Sequence, residues 1–168
     1  MNRRGPGQDS VQIRTFTSSS PEETIGIGRS IAGILKKGSI LALRGSLGAG
    51  KTCLVKGIAS YFGIDEEITS PTYTIVSEYE GTMNGKSLPF YHIDAYRLKG
   101  EDDFTAMGGE EYLYGGGITV VEWSDRINEI LPADAVTVDL EISGPNSRII
   151  RIGAKKESGG YNLEHIGH

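Results

Sequence analysis

Gly45-Ser46-Leu47-Gly48-Ala49-Gly50-Lys51-Thr52 follows G-x-x-x-x-G-K-[ST] without departure, the pattern of a loop that wraps a phosphate chain. Glycine is needed where backbone N–H groups must point inward at dihedrals a side chain would obstruct. In this pattern Lys51 reaches the β- and γ-phosphates, and the Thr52 hydroxyl holds Mg2+. The flanking chain supplies the context. Ser39-Ile40-Leu41-Ala42-Leu43 is a short apolar run suited to a buried parallel strand. Beyond the loop, Leu54, Val55, Ile58 and Phe62 fall on one helical face, and Gly63 stops the run. Strand, loop and helix stand in order, so a nucleoside triphosphate site is expected, with the helix N-terminus facing the phosphates.

The 168 residues suit one domain with a real core. It is expected over residues 11–154, between a disordered tail at 1–10 and a flexible polar tail at 155–168. A formal net charge of −5 argues against a large electrostatic footprint for nucleic acid, so any such role would run through a partner. The single Cys53 cannot form an intramolecular disulfide, which fits a reducing compartment. Directly after Thr52, it is read as a packing residue of the nucleotide-binding stretch rather than a nucleophile. Residues 1–10 lack a charged-then-apolar leader, and no apolar run approaches about 18 residues. The expectation is a cytoplasmic protein without membrane contact.

Outward from the loop, residues 11–16 read as a first strand. Ser20-Pro21-Glu22-Glu23 starts a helix, with Ser20 as N-cap and Glu23 completing a capping box. Ile27, Ile31, Ile34 and Leu35 form its buried face, with Gly38 as its end. Residues 73–79 and 90–96 are rich in aromatic and β-branched residues and read as an antiparallel pair, joined across residues 81–86 with its Asn84-Gly85 turn signal. That pair departs from plain doubly wound topology. One or two short helices are expected over 101–107 and 110–114, and another from Ser124 to Leu131-Pro132. Strands are expected at 118–122, 135–142 and 148–153. The fold class is therefore α/β, a P-loop NTPase-like three-layer α/β/α arrangement whose mixed sheet combines a parallel core with antiparallel strands.

A phosphate-binding loop needs an acid at the end of a neighbouring strand to position Mg2+ or its water. Glu122 ends the apolar run Ile118-Thr119-Val120-Val121, the Walker B pattern with Glu in place of Asp. Asp94 closes Tyr91-His92-Ile93-Asp94. Either acid could serve the metal or orient the attacking water. Asp also caps turns after strands. Thr72, in Ser70-Pro71-Thr72, is a candidate switch residue for the γ-phosphate, though the tripeptide is ordinary in loops. His92 is read as a packed or hydrogen-bonded histidine. Trp123 is left open between the core and a partner surface.

These residues together resemble the bacterial TsaE (YjeE) family, the ATPase of tRNA threonylcarbamoyladenosine synthesis. The motifs that carry the resemblance are the loop at 45–52, Thr69-Ser70-Pro71-Thr72-Tyr73-Thr74, Tyr91-His92-Ile93-Asp94-Ala95-Tyr96-Arg97-Leu98 and Val121-Glu122-Trp123. Coverage runs from about Phe16 to Gly153. The resemblance implies a P-loop α/β fold with a mixed sheet, Mg2+-dependent ATP hydrolysis, and work beside TsaB and TsaD, with tRNA involved indirectly. By the same resemblance Lys51 and Thr52 bind phosphate and Mg2+, Glu122 serves the metal, Asp94 serves the metal or water, and Thr72 belongs to a switch-like loop. Adenine recognition would fall to residues 18–24, among them Ser18, Glu23 and Thr24, and to Arg148. Cys53 departs from the family, where a second Thr is frequent.

Beyond the loop helix the arginines Arg97, Arg126, Arg148 and Arg151 are scattered. They form no cluster suited to the lid of a small-molecule kinase, and none is placed as an arginine finger. The expected output is a conformational reset or activation of a partner complex. A small-molecule or nucleotide kinase is the alternative. A GTPase is disfavoured, because neither N-K-x-D nor D-x-x-G follows the loop. A nucleotide-binding interaction module is the blandest reading.

Overall fold

The computed structural model describes residues 10–69 and 75–167. Its strands are β1 (Val11–Ser18), β2 (Ile40–Gly45), β3 (Val76–Met83), β4 (Lys86–Asp94), β5 (Ile118–Glu122), β6 (Val136–Ile142) and β7 (Arg148–Lys155). The helices are α1 (Pro21–Ala32), α2 (Lys51–Tyr61), α3 (Glu101–Ala106), α4 (Glu110–Leu113) and α5 (Lys156–Gly159). All seven strands join one sheet in the order β1-β7-β6-β2-β5-β4-β3. β2 pairs in parallel with β5 and β6, and β4 pairs in parallel with β5. The pairs β1/β7, β6/β7 and β3/β4 are antiparallel. The expected mixed α/β sheet is the observed one.

Alternation along the parallel strands sorts the core into two layers. Leu41, Leu43, Phe90 and Val120 pack with Ile31, Leu54, Val55 and Ile58 of α1 and α2. Ile40, Ile93 and Val121 face the other way, onto Phe104, Leu113 and Ile127. β5 is buried along its whole length, as a central strand covered on both faces should be. Helices α1 and α2 approach backbone to backbone. A Cβ on Gly57 would fall on the Ile25 carbonyl, and one on Gly28 would fall on that of Leu54.

The N-terminal cap of α1 forms as expected. Ser20 Oγ accepts from Glu23 N–H at 3.1 Å, while the Glu23 carboxylate accepts from Ser19 N–H at 2.7 Å. The helix ends at Ala32 rather than at Gly38. Gly33, Ile34 and Leu35 instead make tighter bonds to the Ser30, Ile31 and Ala32 carbonyls. Gly38, at φ +92, turns the chain into β2 with its N–H on Gly117 O. The hairpin loop is shorter than residues 81–86: only Asn84 and Gly85, at φ 53 and 76, make the turn. Two left-handed residues are what a two-residue hairpin loop requires.

The segment expected as a flexible tail at 155–168 instead completes the core. Tyr161, Leu163 and Ile166 are buried, and the Tyr161 hydroxyl bonds Ser39 Oγ at 2.7 Å. Arg14 donates to the Leu163 and Ile166 carbonyls, and Lys36 Nζ to that of Gly159. Spaced apolar residues among polar ones and glycines hid this packing from a compositional reading. The expected tail at 1–10 lies outside the described residues except for Ser10, whose carbonyl accepts from Lys156 N–H. Among the described residues no helix is long and apolar enough to cross a membrane.

Because overpacking costs about 1–3 kcal/mol and each kcal/mol moves Tm by about 2–4 °C at this size, Gly57→Ala should lower Tm by about 2–12 °C. Thermal unfolding followed by circular dichroism checks this, and an unchanged Tm would refute the close α1–α2 contact.

Candidate functional site

β2 delivers the chain into the phosphate-loop sequence, and the glycines there answer specific demands. A Cβ on Gly45 would stand 2.8 Å from Leu140 O and 3.2 Å from Ala49 Cβ. Gly48 and Gly50 adopt φ +81 and +100, a region that disfavours side chains. The loop closes through Ala49 N–H on Ser46 O at 3.1 Å, and α2 begins as Leu54 N–H meets Gly50 O. The first turn of α2 carries no acidic side chain, whereas those of α1, α3 and α4 do. An open, positively polarised helix end of this kind accommodates an anion.

Lys51 is buried. Its Nζ donates to Gly45 O at 2.6 Å and Ser46 O at 3.0 Å, and lies 4.2 Å from the Trp123 ring centroid. Burial pushes its pKa below the ordinary 10.5, against the pull of Glu122, Asp94 and Asp125. Trp123 holds φ 56, a left-handed conformation costly for a bulky residue. The turn is secured on either side by Glu122 O accepting from Ala95 N–H and by Ser124 Oγ donating to Leu43 O at 3.1 Å. It leaves the indole against both Lys51 and the Tyr96 ring.

The two acids arrive through strand register. Leu43 pairs with Glu122, and Glu122 pairs with Asp94 across β5 and β4. Glu122 is 2 % exposed, and its Oε2 is hydrogen-bonded to His92 Nε2. His92 is fully buried and its Nδ1 has no hydrogen-bond partner among the described residues, a condition that costs about 1–3 kcal/mol. Asp94 does cap a turn, accepting Tyr96 N–H at Oδ1 at 3.0 Å. Burial raises its pKa above the ordinary 3.8, and Glu122 adds to the rise. The Tyr96 N–H, His92 and Lys51 oppose it.

These groups line a cleft of about 410 Å³, formed by Leu47, Gly48, Ala49, Gly50, Lys51, Thr52, Cys53, Asp94, Tyr96, Glu122 and Trp123. It opens at the carboxyl ends of the parallel strands, where α/β sheets bind ligands. Gly45 and Ser46 serve it indirectly, through the carbonyls that hold Lys51. A smaller cleft of about 160 Å³ adjoins it, with Thr24, Cys53 and Arg148 in its wall. Arg148 there donates to Gly48 O at 3.1 Å and Ser147 O at 2.8 Å, tying the β6–β7 turn to the loop. Ser18 and Glu23 line neither cleft. Ser18 Oγ bonds Thr24 Oγ1 at 2.7 Å, and the Glu23 carboxylate is engaged in the helix cap. Thr72 lies outside the described residues. Tyr96, and the contacts made by His92 and Trp123, were not assigned from the sequence. The one available signal was a tryptophan directly after a strand-terminal acid.

The family model described as Threonylcarbamoyl adenosine biosynthesis protein TsaE matches residues 18–150, which span the loop and both acids. The chain belongs to the TsaE family. It is 42% identical over 135 residues to the tRNA threonylcarbamoyladenosine biosynthesis protein TsaE of Treponema pallidum, covering 80% of this chain and 96% of that one. The protein of the same name from Bacillus subtilis is 41% identical, with 80% and 82% covered. A crystal structure of Bacillus subtilis YdiB superposes with a TM-score of 0.70 at 36% identity, covering 87% of this chain and 88% of that one.

In this TsaE-family chain the charge on Asp94 opposes folding. An acid whose pKa rises on folding contributes stability fully below its ordinary 3.8, and that contribution is lost as pH climbs through the raised value. Asp94→Asn should therefore raise Tm at neutral pH, with the advantage shrinking as pH falls toward 3.8. Thermal melts over a pH series would show it. A lower Tm for the variant at neutral pH would mean that the Lys51 and His92 attractions outweigh burial.

Proposed function

We propose that this chain binds ATP with Mg2+ and hydrolyses it, acting in the synthesis of threonylcarbamoyladenosine on tRNA by resetting or activating a TsaB–TsaD transferase complex. The observation that carries the reading is the convergence of Lys51, Thr52, Asp94 and Glu122 on one cleft beside a glycine loop and an acid-free helix start. The names of its relatives supply the pathway.

The residues fit both ligands. Backbone N–H groups of the loop and the Lys51 ammonium would receive the phosphates, which replace the Gly45 and Ser46 carbonyls as partners of Nζ. Thr52, Asp94 and Glu122 would hold Mg2+. That ion is commonly bound by one or two carboxylates together with substrate phosphates and water. Among the described residues no cluster of three or more His, Cys, Asp or Glu is suited to hold a metal by itself, so the ion would arrive with the nucleotide. When bound, it neutralises charge developing on the phosphates. Glu122 or Asp94 orients the attacking water. The smaller cleft beside Thr24 and Arg148 would take the base.

Among the described residues no arginine lines the main cleft. Arg151 pairs with Glu141, Arg44 with Asp139, and Arg148 with loop and turn carbonyls. An arginine finger contributes about 10³–10⁵ in rate, so turnover by the chain alone should be slow. Docked partners should raise it by about tenfold or more if they supply part of such a group. Steady-state phosphate release with and without partners measures this, and equal rates would count against the partner-reset mechanism.

The deciding experiment is repeated-turnover modification of tRNA by reconstituted partners with this chain omitted, added as wild type, or added as Lys51→Ala. Modification beyond one cycle should need the wild-type chain. Lys51→Ala should fail and bind ATP about tenfold or more weakly, because charge-assisted hydrogen bonds contribute about 1.5–3 kcal/mol each. Equal modification in all three mixtures would remove the proposed role.

A further inference from the structure

We infer that His92 is a positioning residue: through Nε2–H it holds Oε2 of Glu122 and so aims the other carboxylate oxygen into the nucleotide cleft. The inference rests on the reading of that cleft as an Mg2+–ATP site. His92 is fully buried and lines no part of the cleft, so it touches neither nucleotide nor water there. It acts through Glu122 or not at all.

Three observations carry the assignment. First, Nε2 and Oε2 are hydrogen-bonded in the interior, and in the metal-holding role proposed for Glu122 its carboxylate is an acceptor only, which assigns the proton to Nε2. Second, Nδ1 is buried without a partner among the described residues. A leucine or phenylalanine would fill the same interior position without that penalty, so the imidazole gains its place through the contact with Glu122. Third, the sheet register makes the contact directional. His92 pairs with Val120, and Asp94 pairs with Glu122, so His92 reaches Glu122 diagonally on the face shared with Asp94. One strand thus carries both an acid of the cleft and the ring that orients the other acid. The bond fixes the position of Oε2 within the buried Glu122 side chain, as supporting hydrogen bonds do for metal-site carboxylates.

The test uses the full chain and a fluorescent ATP analogue, titrated in Mg2+ and again in EDTA, alongside kcat for ATP and a thermal melt. His92→Leu removes the donor. His92→Gln keeps an amide N–H at similar reach. Supporting-residue substitutions cost about 10–100-fold in metal affinity or activity, so His92→Leu should lose about that much of the Mg2+-dependent gain in nucleotide affinity and of kcat. Its affinity in EDTA should stay within about twofold of wild type, and His92→Gln should recover most of the loss. His92→Phe replaces His92→Leu if the latter does not fold, with the same expectations. A His92→Leu chain with wild-type Mg2+ dependence and kcat would overturn the positioning role alone. So would equal impairment of folded His92→Leu and His92→Gln. A wild-type chain that binds the analogue with no Mg2+-dependent gain would overturn the metal role of Glu122, and the positioning role with it.

Discussion

Leu43, Glu122 and Asp94 stand side by side across three parallel strands, and the whole site depends on that register. Side chains alternate with a period of two, so a slip of one residue would turn Glu122 or Asp94 away from the phosphate loop. The register is held from both faces of the sheet. Ile40, Ile93 and Val121 are buried on one side, and Leu41, Leu43, Phe90 and Val120 on the other. A slip would therefore misplace two apolar sets at once. The chemistry at the strand ends inherits its precision from hydrophobic burial along the strands.

At those ends the protein tolerates several costly features close together. Lys51 is buried and its pKa is pushed down. Asp94 is partly buried and its pKa is pushed up. Trp123 is held in a left-handed conformation and His92 keeps an unpartnered ring nitrogen. Each feature alone opposes folding, and strain of this kind persists only where the surroundings over-determine it. The surroundings here are the buried β2, β4 and β5, the close glycine contact between α1 and α2, and the C-terminal segment packed beneath Ser39 and Arg14. Lys51 meanwhile is occupied by its own loop carbonyls and the Trp123 ring.

How far the sequence could be read depended on the range of the interaction concerned. The Ser20–Glu23 cap, the Asn84-Gly85 turn and the Gly63 stop rest on dihedrals and bonds within a few residues, and all three are present. α1 ends at Ala32, short of Gly38, because Gly33 closes the helix in the αR region without a left-handed residue. The packing of the C-terminal segment is not legible locally, because Tyr161, Leu163 and Ile166 show no sustained period and are tied to Gln12, Arg14 and Ser39 far away in the chain. Asp94 could not be divided between turn cap and site acid by sequence, and the structure shows it in both positions.

Sequence alone determined the glycine-rich loop at 45–52, the strand before it, the helix after it, and the α/β class with an inserted hairpin. Glycine dihedrals, capping and hydrophobic period act locally and can be read in order along the chain. Tertiary structure alone decided that Asp94 lies beside Glu122, that His92 bonds the Glu122 carboxylate, that Trp123 covers Lys51, and that the last residues close the core. Those relations join residues distant in sequence. They follow from strand register and two-sided packing, which no local pattern encodes.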